Sequence, residues 1–412
     1  MQLVLTDDRF TFYELTRSSC ITADTGSLDE ESGGQLSLLP DPEQLGLGRL
    51  RADREGDVLT LRTADPELEW TFDRGVSAPP CLDAGTPASD DPVLNFEVFW
   101  QSFDEQYAFF ELQGVDWGSA YAELRPLVTP TTTADELFDV MSRALSPLHD
   151  FHVYLESECS TFSLPPPPDI VAHADGINRY LGELLGSERV TWDASQQIAY
   201  QTLDNGVGYV WIGAMEGFTE QSTPDWVADE MTRAGNAIDE ALLALQDTPA
   251  LIVDVRFNGG GLGGVALTLA DRFADRKRLA FRKHARKADG FTPLRDFYVE
   301  PGGPRQYTSD VVLLTSALTA SAAEHFVMAM RVLPHVVVFG EPSAGAHSAV
   351  FERQLPNGWL FGLSTEEHIL ADGNVYERVG IPPQVALRPD TAGLAEGHDV
   401  TLEAALQYLM RE

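Results

Sequence analysis

The order of apolar and polar positions divides the chain into three stretches. Residues 1–75 hold short alternating runs, Arg9–Leu15, Val58–Thr63 and Leu68–Asp73, separated by pieces rich in Gly, Asp and Pro. That pattern predicts a small β domain over 1–78, with a poorly ordered middle at Asp29–Gln44. Residues 79–92 have linker composition. The period then changes: Phe96, Phe99, Trp100, Phe103 and Tyr107 fall on one helical stripe, with Asn95 available as a cap. Asp116 can cap a second helix that ends before Pro126. Thr133 and Glu136 form a capping box ahead of Leu137, Phe138 and Met141. A helical domain is therefore expected over 93–150, its stripe serving as core. Pro165–Pro168 reads as a stiff extended connector.

From about residue 197 strands and helices alternate. Val207–Gly213, Leu251–Phe257, Val311–Thr315 and Val336–Gly340 are apolar enough to be buried strands. Asp225–Leu245, a segment from about Gly264, and Ser321–Leu333 carry helical spacing. Alternation of this kind predicts α/β layers over 151–390, with a C-terminal helix over 391–412. The chain has no internal repeat.

Charge narrows the functional classes. There are 28 Lys+Arg against 64 Asp+Glu, a net charge of −36. Nucleic acid and anionic membrane surfaces need clustered positive charge, so both are disfavoured. Seven of the 28 basic residues lie between Arg276 and Lys287. They read as a solvated loop, or as a site for an acidic group or a terminal carboxylate. No apolar stretch is long enough to span a bilayer. The start, MQLVLTDDRFTFYEL, lacks the form of a secretory leader, so the chain reads as cytoplasmic or as lacking its leader. None of the three cysteines sits in a CxxC pair, and HExxH is absent, so no metal is expected. Cys20 and Cys81 can pair in an oxidising compartment, or be two unrelated small residues.

Three features carry chemistry. The first is the run Leu251 to Phe257 into Asn258-Gly259-Gly260-Gly261, which opens a helix at Gly264. Such a turn leaves amides free for an anion. It fits the dinucleotide fingerprint GxGxxG, an oxyanion donor for acyl transfer, or a tight packing turn. No strand ending in a ribose-binding acid follows it. The second is Ser321, at the end of a run of small residues and the start of a helix. There the helix dipole and unpaired amides would stabilise an alkoxide, though an N-cap serine looks the same. The third is a base. The three lysines, Lys277, Lys283 and Lys287, share one polar stretch, which disfavours a Ser–Lys dyad. Among the histidines, His152 and His347 lie next to element ends.

These pieces, in order, resemble the tail-specific, or C-terminal processing, serine peptidases, and most closely the tricorn-like branch. The motifs are Leu148-His-Asp-Phe-His152-Val, Asp254-Val-Arg-Phe-Asn-Gly-Gly-Gly261, Thr319-Ala-Ser321-Ala-Ala-Glu324, Gly340-Glu-Pro-Ser-Ala-Gly345, and Gly373-Asn-Val-Tyr-Glu377-Arg-Val-Gly380-Ile-Pro-Pro383. The resemblance runs from about Phe96 to Leu387. It implies a ClpP/crotonase-like catalytic domain and peptide or protein substrates. It makes Ser321 the nucleophile, His152 the base, and Glu377 the relay carboxylate. The amides of Gly260 and Ala322 would form the oxyanion hole.

The sequence departs from the family at three places. The lysine of the tail-specific branch is replaced by Ala346, beside which His347 is a second choice of base. The serine that tricorn-like members place before the histidine is Phe151. The stretch between Leu155 and the strand expected near residue 197 is too short for the family's PDZ domain, so none is expected. No cofactor is implied. The family's exported habit implies a periplasmic or cell-envelope home. A lipid- or small-ligand-binding protein on the same scaffold is the alternative reading.

Overall fold

A computed structural model describes residues 1–30, 36–41, 45–75, 86–164, 168–186, 188–388 and 391–410. The chain has a mixed α/β fold. Its first part is a seven-stranded antiparallel meander running in sequence order from Gln2–Leu5 to Glu69–Asp73. The inward positions Phe10, Phe12, Leu38, Leu50 and Leu61 are buried. Part of the segment expected to be disordered, Leu36–Pro40, is a paired strand. Its apolar Leu36, Leu38 and Leu39 fit a pleated, half-buried surface, which the flanking polar residues concealed.

The helix expected after the linker covers Pro92–Gln106 and starts earlier than its stripe suggested. Asp91 caps it by accepting from the Val93 N–H, and Pro92 takes the first turn. Asn95 is not the cap. It lies buried inside the helix, donating to Ser89 O and Asp91 O and accepting from the Asn357 N–H. Phe96, Phe99 and Phe103 pack with Trp117 and Phe361, as core. Helices Trp117–Leu124 and Ala134–Leu145 complete this layer, and the Thr133–Glu136 capping box is present. Burying each such ring is worth about 2–3 kcal/mol. A four-stranded sheet, ordered Val350–Gln354, Leu360–Ser364, Tyr154–Glu156, Thr161–Ser163, joins this layer to the rest.

The stretch read as a polyproline connector instead leads into a helix, Pro168–Leu185; residues 165–167 lie outside the described residues. Proline is accepted at a helix start because its missing N–H would have no partner there anyway. The C-terminal helix is two helices, Thr391–Ala395 and Val400–Leu409.

The central sheet has seven strands in the order 191–192, 198–202, 208–212, 251–254, 311–315, 336–340, 385–386. The last five run parallel. Val210, Val253 and Leu313 face the helices Trp226–Ala244, Gly263–Ala270 and Ala322–Arg331. Tyr209, Ile252 and Val312 face the helices at 168–185 and 400–409. A sheet covered on both faces favours near-continuous apolar runs, and the buried Asp254 at the end of one strand is paired with Arg256.

The basic stretch is not a loop. Arg278–Lys287 is a strand paired with Arg295–Val299 and Glu366–Leu370. Its charges meet acids: Arg278 with Asp275, Arg282 with Asp296, Lys283 with Glu366, and Lys287 with Asp289. Cys20 is engaged in a disulfide and Cys159 is a free, exposed thiol; Cys81 lies outside the described residues. No described helix is long and apolar enough to cross a membrane.

Candidate active site

Strand Val311–Thr315 feeds a turn that is tied down residue by residue. Thr319 Oγ1 donates to Val255 O at 2.9 Å, and the Ala320 N–H to Asn258 O at 3.0 Å. Ser321 then sits at φ 55°, ψ −127°, as the N-cap of Ala322–Arg331. A positive φ is unusual for a residue with a Cβ and costs about 1–3 kcal/mol. The cost is offset by two acceptors for its N–H, Ala346 O at 3.0 Å and Glu324 Oε2 at 3.2 Å. The next amide, Ala322, opens the helix, where an N–H has no intrahelical acceptor.

The glycine turn lies directly against this serine. Gly260 has φ +107°, and a Cβ built there would stand 2.6 Å from Ser321 Cβ and 3.0 Å from Ala322 N. Only glycine permits that approach. The Gly260 N–H donates to Asn258 Oδ1 at 3.0 Å, and Asn258 Nδ2 donates to Ile212 O at 3.0 Å. The expected second oxyanion donor is thus beside Ser321, with its proton held by Asn258. The turn does not present a phosphate cradle. At the start of helix Gly263–Ala270 the Gly264 N–H is taken by Asp65 Oδ2 at 2.9 Å, so a carboxylate of the N-terminal sheet fills the place a pyrophosphate would need.

Glu324 organises the second half of the site. Its Oε1 accepts from Ser343 Oγ and the Gly345 N–H; its Oε2 accepts from the Ala346 and Ser321 amides. Burial would raise its pKa, but His347 and these donors hold it below the ordinary value. The sequence offered only its place, three residues after Ser321, where a capping-box acid belongs.

His347 is fully buried, with Nε2 3.0 Å from Glu324 Oε1 and Nδ1 3.5 Å from Glu377 Oε2. Glu377 Oε2 also accepts the His347 and Ser348 amides at 2.9 and 3.3 Å. His152 comes from the turn before strand Tyr154–Glu156. Carboxylate oxygens of Asp150 and Glu377 and an imidazole nitrogen of His152 lie within 4.8 Å of one another. Burial holds the His152 imidazole below its ordinary pKa, against the opposing charges of Asp150 and Glu324. The fold therefore sets Gly260 against Ser321 and Ala322, links the Ser321 amide to the His347 imidazole through Glu324, and brings His152 to Asp150 and Glu377. Glu377 is pushed well above its usual pKa by burial and by Asp150 and Glu324.

A second buried polar group flanks the helix that Ser321 caps. Glu67, from the turn between the strands Val58–Arg62 and Glu69–Asp73, lies with Oε1 3.0 Å from His325 Nδ1 and Oε2 3.5 Å from Lys283 Nζ. His325 Nε2 meets His347 O at 2.9 Å. Glu67, His325 and His368 place ligand-type atoms within 4.8 Å. A metal fits them poorly. The two imidazoles stack at 4.5 Å and 29°, so their in-plane lone pairs do not converge, and the Lys283 ammonium already supplies positive charge.

The site lies on a mixed α/β fold, and the comparisons place the chain among relatives. Residues 206–387 match the model of peptidase family S41, and residues 93–146 that of the tricorn protease C1 domain. The resemblance to the tail-specific processing peptidases is borne out. The chain is 27% identical over 192 residues to the carboxy-terminal processing protease CtpA of Bacillus subtilis, a match covering 46% of this chain and 37% of CtpA. It is 25% identical over 148 residues to the chloroplastic C-terminal processing peptidase of Tetradesmus obliquus, covering 36% of this chain and 31% of that protein. The chain thus spans about a third of the length of these curated relatives. A solved structure from Parabacteroides merdae, described provisionally as a peptidase, aligns with TM-score 0.66 and 27% identity over 78% of this chain and 97% of its own. Mature CPAF shares the fold at TM-score 0.55 and 12% identity, over 78% of this chain and 95% of its own.

Proposed function

We propose that the chain is a serine peptidase that hydrolyses peptide bonds of peptides or proteins through an acyl-enzyme. The observation that carries this reading is the strained Ser321 at a helix N-terminus, with Gly260 against it and Glu324 linking its amide to the His347 imidazole. His152 is the base. Its lowered pKa keeps it neutral near pH 7, so it can take the Ser321 proton as Oγ bonds to the substrate carbonyl. The oxyanion forms at the Ala322 N–H, with Gly260 as the second donor once its amide leaves Asn258. One such donor is worth about 3 kcal/mol of transition-state stabilisation. The imidazolium then gives its proton to the leaving amine as the C–N bond breaks, and water repeats the sequence on the ester. Glu377, near His152, is the relay carboxylate that the resemblance implies.

His347 is the weaker choice of base. Its ring is buried between Glu324 and Glu377, which face both its nitrogens. The reading places the catalysis on a ClpP/crotonase-like domain over 151–390. The helical domain at 93–150 supplies the approach of His152, the β domain at 1–78 braces the nucleophile helix, and no PDZ domain takes part. A periplasmic or cell-envelope location fits the disulfide at Cys20, since disulfides persist in oxidising compartments.

The test is peptide hydrolysis by the wild type and Ser321→Ala. The expected loss is at least about a thousandfold. Equal activity in the variant rejects the assignment.

A further inference from the structure

The resemblance leaves one place in the relay unfilled, because the residue before His152 is Phe151, whose side chain is 46% exposed. No hydroxyl stands there to connect the imidazole to a carboxylate. We propose that Asp150 fills this role, as a positioning residue that clamps the His152 backbone and faces its imidazole with a fixed negative charge. The inference rests on His152 being the base.

Three observations carry it. Asp150 is buried, and its Oδ1 accepts the His152 N–H at 2.9 Å. That bond closes a turn begun by His149, whose φ of 43° bends the chain. Its Oδ2 accepts the Tyr107 hydroxyl at 3.0 Å, so the helical layer sets where the carboxylate stands. Finally, His152 Nδ1 is buried without a hydrogen-bond partner, while an imidazole nitrogen lies within 4.8 Å of Asp150. A small turn of the ring completes a bond that Asp150 has the lone pairs to accept.

Glu377 is less able to supply the charge. One of its oxygens already takes two amides of the 347–348 loop. Two buried carboxylates this close do not both ionise readily, and burial together with Asp150 and Glu324 keeps Glu377 on the protonated side. The other charged groups around the imidazole are Glu324, His347 and His325. Of the groups opposing the burial of His152, Asp150 acts most strongly. In the reaction the proton moves from Ser321 Oγ to His152 and no further. Asp150 faces the imidazolium and stabilises it.

Two measurements on the full chain test this. The first is the His152 titration by NMR with labelled histidine, in Ser321→Ala and in Ser321→Ala with Asp150→Asn. The second is the pH profile of peptide hydrolysis by wild type and Asp150→Asn. Losing the charge should lower the His152 pKa by about one unit. The acid limb of kcat/KM should follow it, with kcat down about thirtyfold and KM within about twofold. A folded Asp150→Asn with unmoved titration and unchanged kcat overturns the proposal. If that variant does not fold, Glu377→Gln decides by the same NMR reading. An unmoved His152 titration supports Asp150 as the charged partner, and a shift of about a unit makes Glu377 that partner and overturns it. The NMR arm runs without turnover, so a titration shift in a protein lacking peptidase activity would sustain the role of Asp150 and refute the peptidase reading alone.

Discussion

Glu67 Oε1 stands 3.0 Å from Nδ1 of His325, and so joins the N-terminal β-sheet to the helix that carries Ser321 at its start. The two residues are 258 positions apart. Through His325 Nε2 the same imidazole reaches the carbonyl of His347, in the loop that also receives the Ser321 amide. The N-terminal strands therefore brace the helix that Ser321 caps.

The first prediction concerns this brace. Burial would raise the Glu67 pKa, but His325 and Lys283 bring it to about 2. Glu67 raises His325 above its ordinary value against the opposing effect of burial. The signs follow from linkage. The Glu67 contribution is present above its unfolded pKa of 4.5 and is lost as pH falls toward 2. The His325 contribution is present below 6.5 and is lost as pH rises through its elevated folded pKa. Glu67→Ala leaves Lys283 and His325 facing each other and should cost about 3–5 kcal/mol. Thermal unfolding across pH checks this: the variant should have a lower Tm and should lack both limbs.

Gly260→Ala is expected to cost more activity than stability. Its Cβ would enter the space of Ser321 Cβ and Ala320 O at a φ that L-residues avoid. The strain is about 1–3 kcal/mol. The larger effect is displacement of Ser321, since a shift near 1 Å can cost about a hundredfold in rate. Parallel measurements of kcat and Tm should give at least that loss with a modest fall in Tm.

Glu324→Ala should loosen the loop from Ser343 to Ala346. Four donors, the Ser343 hydroxyl and the amides of Gly345, Ala346 and Ser321, would lose one buried acceptor. An unsatisfied buried donor costs about 1–3 kcal/mol. Hydrogen exchange at residues 343–346 should speed up, and chemical unfolding should report several kcal/mol lost.

The base should show itself in the pH profile. Burial keeps the His152 pKa below 6.5, so kcat/KM should rise through an apparent pKa under that value and be flat above it. A profile still rising at pH 8 would point to a different base.

The buried parallel strands were legible because a sheet covered on both faces favours near-continuous apolar runs, as in Leu251–Val253 and Val311–Leu314. Ser321 and the glycine turn were legible because small residues cluster where backbones meet. Other features depend on distant partners. Arg278–Lys287 reads as polar, and only Asp296 and Glu366 on the neighbouring strands make it a strand. Asn95 looks like a cap, yet the bond from the Asn357 amide draws it inside. Glu67 carries no local signal, since its meaning comes from His325. Pro168 was read through the prolines before it, whereas its own place is a helix start.

The most direct test of the central claim is the covalent capture of Ser321. The full-length wild type and His152→Ala are treated with a phosphonate probe for activated serines, and the adduct is mapped by mass spectrometry. The account predicts one equivalent on Ser321 in the wild type and strongly slowed labelling in His152→Ala. A protein that cleaves peptides while Ser321 stays unlabelled, or one whose labelling at Ser321 is indifferent to the loss of His152, would contradict it.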